Sequence, residues 1–143
     1  MSDLYDDDVV TWSEQQAELL RRVAAGEPPN ETPDWPSIIE EIESVGSDRL
    51  HSLRSWLRQA LIHMLKAQAW PASRDAPAWL ADAIMFRTDA AQRFVESMRD
   101  KIDLDKLYRQ ATRTLPRTMD GLPPLPVPEV CPLTLDELLS EEP

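Results

Sequence analysis

Few cysteines, few glycines and no long apolar run already exclude several designs for this 143-residue chain. The lone Cys131 cannot form an internal disulfide or build a thiolate metal site alone. Its expected role is a small buried hydrophobe in a proline-rich tail. Three glycines, at 26, 46 and 121, are too few for the many turns of an all-β design. Because they stand apart, they also make no phosphate-cradling loop. Without a run of about 18 apolar residues, no transmembrane helix is expected. The opening Met-Ser-Asp-Leu-Tyr-Asp-Asp-Asp is acidic where a secretion signal is basic and then apolar, so the expected location is the cytoplasm. No serine lies in a nucleophile-elbow pattern, and no His-Glu-x-x-His or paired Glu-x-x-His motif is present.

Positive charge is scarce, and it is unevenly placed. The net charge is −11, yet residues 46–113 hold eight acids and twelve bases, a local excess of +4. Residues 1–45 hold twelve acids and two arginines, while residues 114–143 hold six acids and one base. An acidic chain is disfavoured as a general nucleic-acid binder, because phosphate contacts dominate such affinity. The basic middle keeps a narrower version open, in which Arg54 and Arg58 touch a phosphate backbone and affinity falls steeply with salt.

What is present is helical periodicity. Trp12, Gln16, Leu19, Leu20 and Val23 predict a first helix from about Asp8 to Ala25, stopped by Gly26. After a Pro-rich linker, Asp34 is a good N-cap for a second helix carrying Ile38, Ile39, Ile42 and Val45 inward. Gly46 is expected to end or kink it, and Ser47 to cap a third helix running from Asp48 to about Ala69. Leu50, Leu53, Leu57, Ala60, Leu61, Met64 and Leu65 form the apolar stripe of that helix. Trp70-Pro71 ends it. A fourth helix is expected over 78–101, with Trp79, Ala83, Phe86, Ala90, Phe94 and Met98 on one side. Asp103 caps a fifth, using Leu104, Leu107, Tyr108 and Ala111. Prolines at 116, 123, 124, 126, 128 and 132 then predict an extended strap. Thr134-Leu135-Asp136-Glu137 has capping-box spacing and opens a short terminal helix. The expectation is an all-α bundle of about five helices in one domain, a body over 1–115 wrapped by a strap over 116–143.

These landmarks, taken in order, resemble the bacterial domain-of-unknown-function family 29 over nearly the whole chain. They are Leu4-Tyr5-Asp6 with Trp12 and Gln16, Leu19-Leu20-Arg21, Asp34-Trp35, and Glu40-Glu41-Ile42-Glu43-Ser44-Val45-Gly46. His63-Met64-Leu65-Lys66, Trp70-Pro71, Ser73-Arg74, Trp79, Arg87, Tyr108 and Cys131-Pro132-Leu133-Thr134-Leu135 complete the set. The resemblance implies an all-helical fold and supplies no catalytic residue.

Three sets of residues carry candidate chemistry. Glu40, Glu43 and His63 are the candidate catalytic set; a hydrolase or metal-dependent enzyme would need them to converge in a concave site. In a helical hairpin broken at Gly46, however, the glutamates pair more naturally with Arg49, Arg54 or Arg58 than with His63. His63 lies seven residues from both Trp56 and Trp70, so it reads as a boundary histidine packed among aromatics. Arg54, Arg58, Lys66, Trp56 and Trp70 are candidate binding residues, since arginine and tryptophan are enriched in hot spots. No metal ligand set and no cofactor is implied. The sequence thus points to a non-enzymatic protein-interaction module whose partner is another protein or a second copy. Small size, acidity and a detachable-looking strap fit one half of a regulatory or toxin–antitoxin-like pair.

Overall fold

The computed structural model describes residues 3–140. Met1, Ser2 and the last three residues of the expected strap lie outside the described residues. Among the described residues the regular elements are helical: α1 Leu4–Asp7, α2 Val9–Ala24, α3 Trp35–Ala69, α4 Ala76–Arg93, a 3₁₀ segment Glu96–Lys101, α5 Leu104–Thr114 and α6 Leu135–Leu139. The all-α class follows the sequence periodicity. The chain falls into two compact units, Met1–Ser47 and Asp48–Pro143.

The main correction concerns Gly46. One helix, α3, runs through it without a break, so the expected hairpin of a second and third helix does not form. Glycine in a helix interior costs only about 1 kcal/mol relative to alanine, and with no proline nearby the flanking residues carry the helix across. Ser47, expected as an N-cap, is an exposed mid-helix residue.

In the first unit, Asp8 caps α2 by accepting from the Thr11 amide at 3.1 Å and the Thr11 hydroxyl at 2.7 Å. Asp3 caps the short α1 that precedes it, a turn the periodicity did not separate. Gly26, at φ +76°, stops α2 in a left-handed conformation that other residues rarely adopt. Asp34 opens α3, and its carboxylate also accepts from the Trp12 indole. Only Ile38 of the four apolar residues expected inward is buried. Ile39, Ile42 and Val45 are 52 %, 68 % and 52 % exposed. Hydrogen bonds at Asp34, just before the helix, and at Glu41, with buried Ile38 between them, set the inward side. Ile39 and Ile42, each one position on from Ile38 and Glu41, are thereby turned out to solvent, and Val45, on the inward side, lies beyond the clamp. Val23 of α2, also expected inward, is exposed.

The second unit holds the main core: Leu53, Leu57, Leu61, Ile62 and Leu65 of α3 meet Ala90, Met98, Leu107, Tyr108, Ala111 and Leu138. Here the predicted stripe is the buried one. The fourth helix begins at Ala76, with Pro77 tolerated in its first turn, and ends at Arg93 instead of continuing to 101. Phe94 and Val95 are extended, and the 3₁₀ turn that follows sets Met98 into the core. Asp103 caps α5 by accepting from the Lys106 amide. Thr134 and Glu137 form the expected capping box of α6.

Residues 115–134 contain no helix. The Leu125 amide donates to the Ala69 carbonyl at 2.9 Å, and the Tyr108 hydroxyl donates to the Pro128 carbonyl. Leu138 is fully buried, and Arg87 donates to the carbonyls of Leu138 at 2.9 Å and Glu137 at 2.8 Å. A cation on the last carbonyls of a helix complements its dipole. Helix α6 therefore joins the core of the second unit through Leu138, contrary to the detachable look of the strap.

Candidate functional site

Each unit presents surfaces of distinct chemistry. In the first, a buried clamp sets the geometry. Trp12 is buried; its indole N–H donates to Asp34 Oδ2 at 3.0 Å, and the Gln16 side-chain carbonyl accepts from the Asp34 amide at 2.7 Å. The indole and then the Ser37 hydroxyl hold the Asp34 carboxyl below the usual carboxylate range. Tyr5 stacks edge-on against Trp12, with ring centroids 4.7 Å apart. Its hydroxyl donates to Glu41 Oε1 at 2.5 Å. That bond to a carboxylate, then burial and the surrounding negative charge, push the Tyr5 phenol up to about 12.

The clamp holds one side of α3, and the side about 100° round the helix from it stands in solvent. Trp35, 44 % exposed, precedes Ile39 and Ile42 at the i, i+4, i+7 spacing, while Val45, in register with Ile38 and Glu41, is exposed beyond the clamp. Glu40 and Glu43, both exposed, are interleaved with this apolar stripe. Neither takes an ion pair among the described residues. The expected pairing of these glutamates with arginines thus has no counterpart there. The carboxylate of the cluster that does make a side-chain bond is Glu41.

His63 belongs to the second unit. Its Nδ1 lies 2.7 Å from the Gln59 carbonyl, and since a carbonyl only accepts, Nδ1 carries the proton. Nε2 is 3.8 Å from Asp82, and the ring packs at 5.4 Å on Phe86. This is the boundary histidine expected from its spacing, although its aromatic neighbour is Phe86. Among the described residues no three His, Cys, Asp or Glu side chains are grouped so as to hold a metal. Cys131 donates to the Leu133 carbonyl, and burial pushes its thiol up, away from the thiolate a nucleophile needs.

Three clefts in the second unit take up the remaining candidates. Arg54 and Arg58 line a polar one of about 330 Å³ with Lys101, Asp103, Lys106 and Gln110. Trp56 lines a smaller one, about 140 Å³, with Arg49 and Arg93. Trp70 lines an apolar one of about 590 Å³ with Pro71, Met119, Leu122 and Leu125. Lys66 stands apart from these, 6.0 Å above the Trp79 ring. The apolar cleft owes its wall to a tight turn within the proline-rich segment. Met119 and Leu122 exchange backbone hydrogen bonds, and Asp120 and Gly121 between them both have positive φ. Asp-Gly is the usual pair for such a tight turn, and that pair was the available signal.

A family model described as "Domain of unknown function DUF29" matches residues 4–142. The chain belongs to this family. In this DUF29 chain several landmark side chains serve as clamps: Tyr5, Trp12, Gln16 and Asp34 in the first unit, and Trp70, Arg87 and Tyr108 in the second. The indole of Trp70 donates to the Leu122 carbonyl at 3.0 Å, and Arg87 and Tyr108 likewise hold backbone carbonyls. The fold is similar to the crystal structure of an alpha-helical protein of unknown function from Rhodospirillum rubrum. The TM-score is 0.65 at 24% identity, covering 99% of this chain and 92% of that one. Comparison with curated proteins finds no match.

Proposed function

We propose that this DUF29 chain is a non-enzymatic interaction module whose first unit docks the apolar face of a basic amphipathic helix from a partner protein. The observation that carries this reading is the stripe of Trp35, Ile39 and Ile42 left in solvent beside the clamped face of the helix, with exposed Val45 beyond the clamp. Scattered exposed apolar residues need no explanation, but a contiguous helical stripe does. The choice of a basic partner rests on charge. Residues 1–45 hold twelve acids against two arginines, and Glu40 and Glu43 border the stripe. A helix laid along such a stripe is read through anchors at helical spacing. Two first units docked face to face would oppose like charges, which disfavours a second copy in this place. Such a module suits one half of a regulatory or toxin–antitoxin-like pair.

The test is calorimetric titration with a Leu–Lys amphipathic peptide and its Leu–Glu counterpart, on the full chain and on an Ile39→Ser/Ile42→Ser variant. Both isoleucines are exposed, so the variant keeps its fold. Binding of the basic peptide should weaken with salt. It should also fall at least about tenfold in the variant, because burying an isoleucine contributes about 1.5–3 kcal/mol and tenfold is about 1.4. Equal binding of both peptides, or of the basic peptide to both chains, would overturn the reading.

A further inference from the structure

The polar cleft of the second unit has a chemistry that docking by the first unit does not use. Arg54 and Arg58 come from α3, Lys101 from the end of the 3₁₀ segment, and Lys106 from the first turn of α5. Among the described residues, none of these four cations has a carboxylate partner. Arg54 donates to the Lys101 backbone carbonyl, and Arg58 Nη1 donates to the neutral Gln110 side chain at 3.0 Å. The one carboxylate on the wall, Asp103, accepts from the Lys106 amide at 3.1 Å as the cap of α5 and offsets one of the four positive charges.

Four positive side chains and one engaged carboxylate thus border a space of about 330 Å³ in a chain whose net charge is −11. The repulsion among these charges is screened at the exposed lysines and least screened at the two half-buried arginines, so an anion in the cleft is favoured. The two arginines are held by their backbone and amide bonds with other guanidinium N–H groups to spare. Guanidinium matches phosphate oxygens in a fork, and lysine adds point charge. A single phosphate would meet part of this set. The count of cations suits two linked phosphates.

We infer that this cleft binds the diphosphate group of a small phosphorylated molecule. A nucleic-acid strand is the competing occupant, and it is disfavoured by the net charge of −11 on the chain and by the small size of the one concavity. The experiment is calorimetric titration of the full chain with inorganic pyrophosphate, inorganic phosphate and a short single-stranded RNA. It is repeated on Lys101→Ala/Lys106→Ala and on Arg109→Ala/Arg113→Ala, which removes the same charge from exposed positions off the cleft. The expected result is one saturable pyrophosphate site, tighter than phosphate, weakened about tenfold or more by the lysine pair and unchanged by the arginine pair. Absence of pyrophosphate binding, equal loss in both variants, or RNA binding tighter than pyrophosphate would overturn the assignment.

Discussion

Tyr5 and Trp12 show how far a single residue's role is written in sequence. Trp12 is readable as a core anchor, and Asp34 as a helix cap, from spacing and local chemistry alone. That one accepts a hydrogen bond from the other, 22 positions away, depends on how two helices meet, and no local pattern encodes it. The same holds for Tyr5 and Glu41, 36 positions apart. Because the Tyr5 phenol is raised in the folded state, the stability it contributes is complete below its ordinary value of 10.0 and is lost as pH rises through about 12. In a Tyr108→Phe chain, which leaves a single tyrosine, phenolate absorbance should titrate near 12; a midpoint near 10 would contradict the Tyr5–Glu41 bond. Asp34 acts at the other end of the scale. Its lowered carboxyl contributes stability above the ordinary carboxylate value that is lost as pH falls through the lowered one. Asp34→Asn should therefore flatten the acid limb of a pH-denaturation profile, whereas an unchanged limb would argue against the clamp.

Helices α3 and α6 show which elements were legible. Periodicity located the stripe from Leu53 to Leu65 because a continuous core selects it. It misassigned Ile39, Ile42 and Val45 because an apolar stripe looks alike whether it meets a core or solvent. Gly46 was overread, since glycine weakens a helix without forcing a stop. A Cβ added at Gly46 meets nothing within 4 Å. Gly46→Ala should therefore raise stability by about 1 kcal/mol in denaturant unfolding, as expected for an unhindered helix interior. No change or a loss would mean that the helix is interrupted there. The capping box of α6 was readable from four residues, but the depth of Leu138 was not. Leu138→Ala should cost about 2–5 kcal/mol, the range for a fully buried leucine. A cost near zero would mean that α6 does not pack on the core.

At the scale of the whole molecule, charge was the most legible property and the candidate sites the least. The acidic first segment and the basic middle are plain in composition. Their assembly into a solvent-facing apolar stripe and a cationic cleft required the fold. Arg54 and Arg58 were visible as neighbours on one helix, but Lys101 and Lys106 reach the same cleft only because the 3₁₀ segment and α5 fold back onto α3. The central claim concerns the stripe, and Trp35 at its start makes it directly observable. We would label the five tryptophans with 5-fluorotryptophan, assign Trp35 with a Trp35→Phe chain, and follow fluorine resonances while adding the Leu–Lys peptide. The account predicts that the Trp35 resonance shifts with saturation while those of buried Trp12 and Trp70 stay in place. An unmoved Trp35 alongside a shifting Trp56 or Trp79 would place the peptide on the second unit and contradict it.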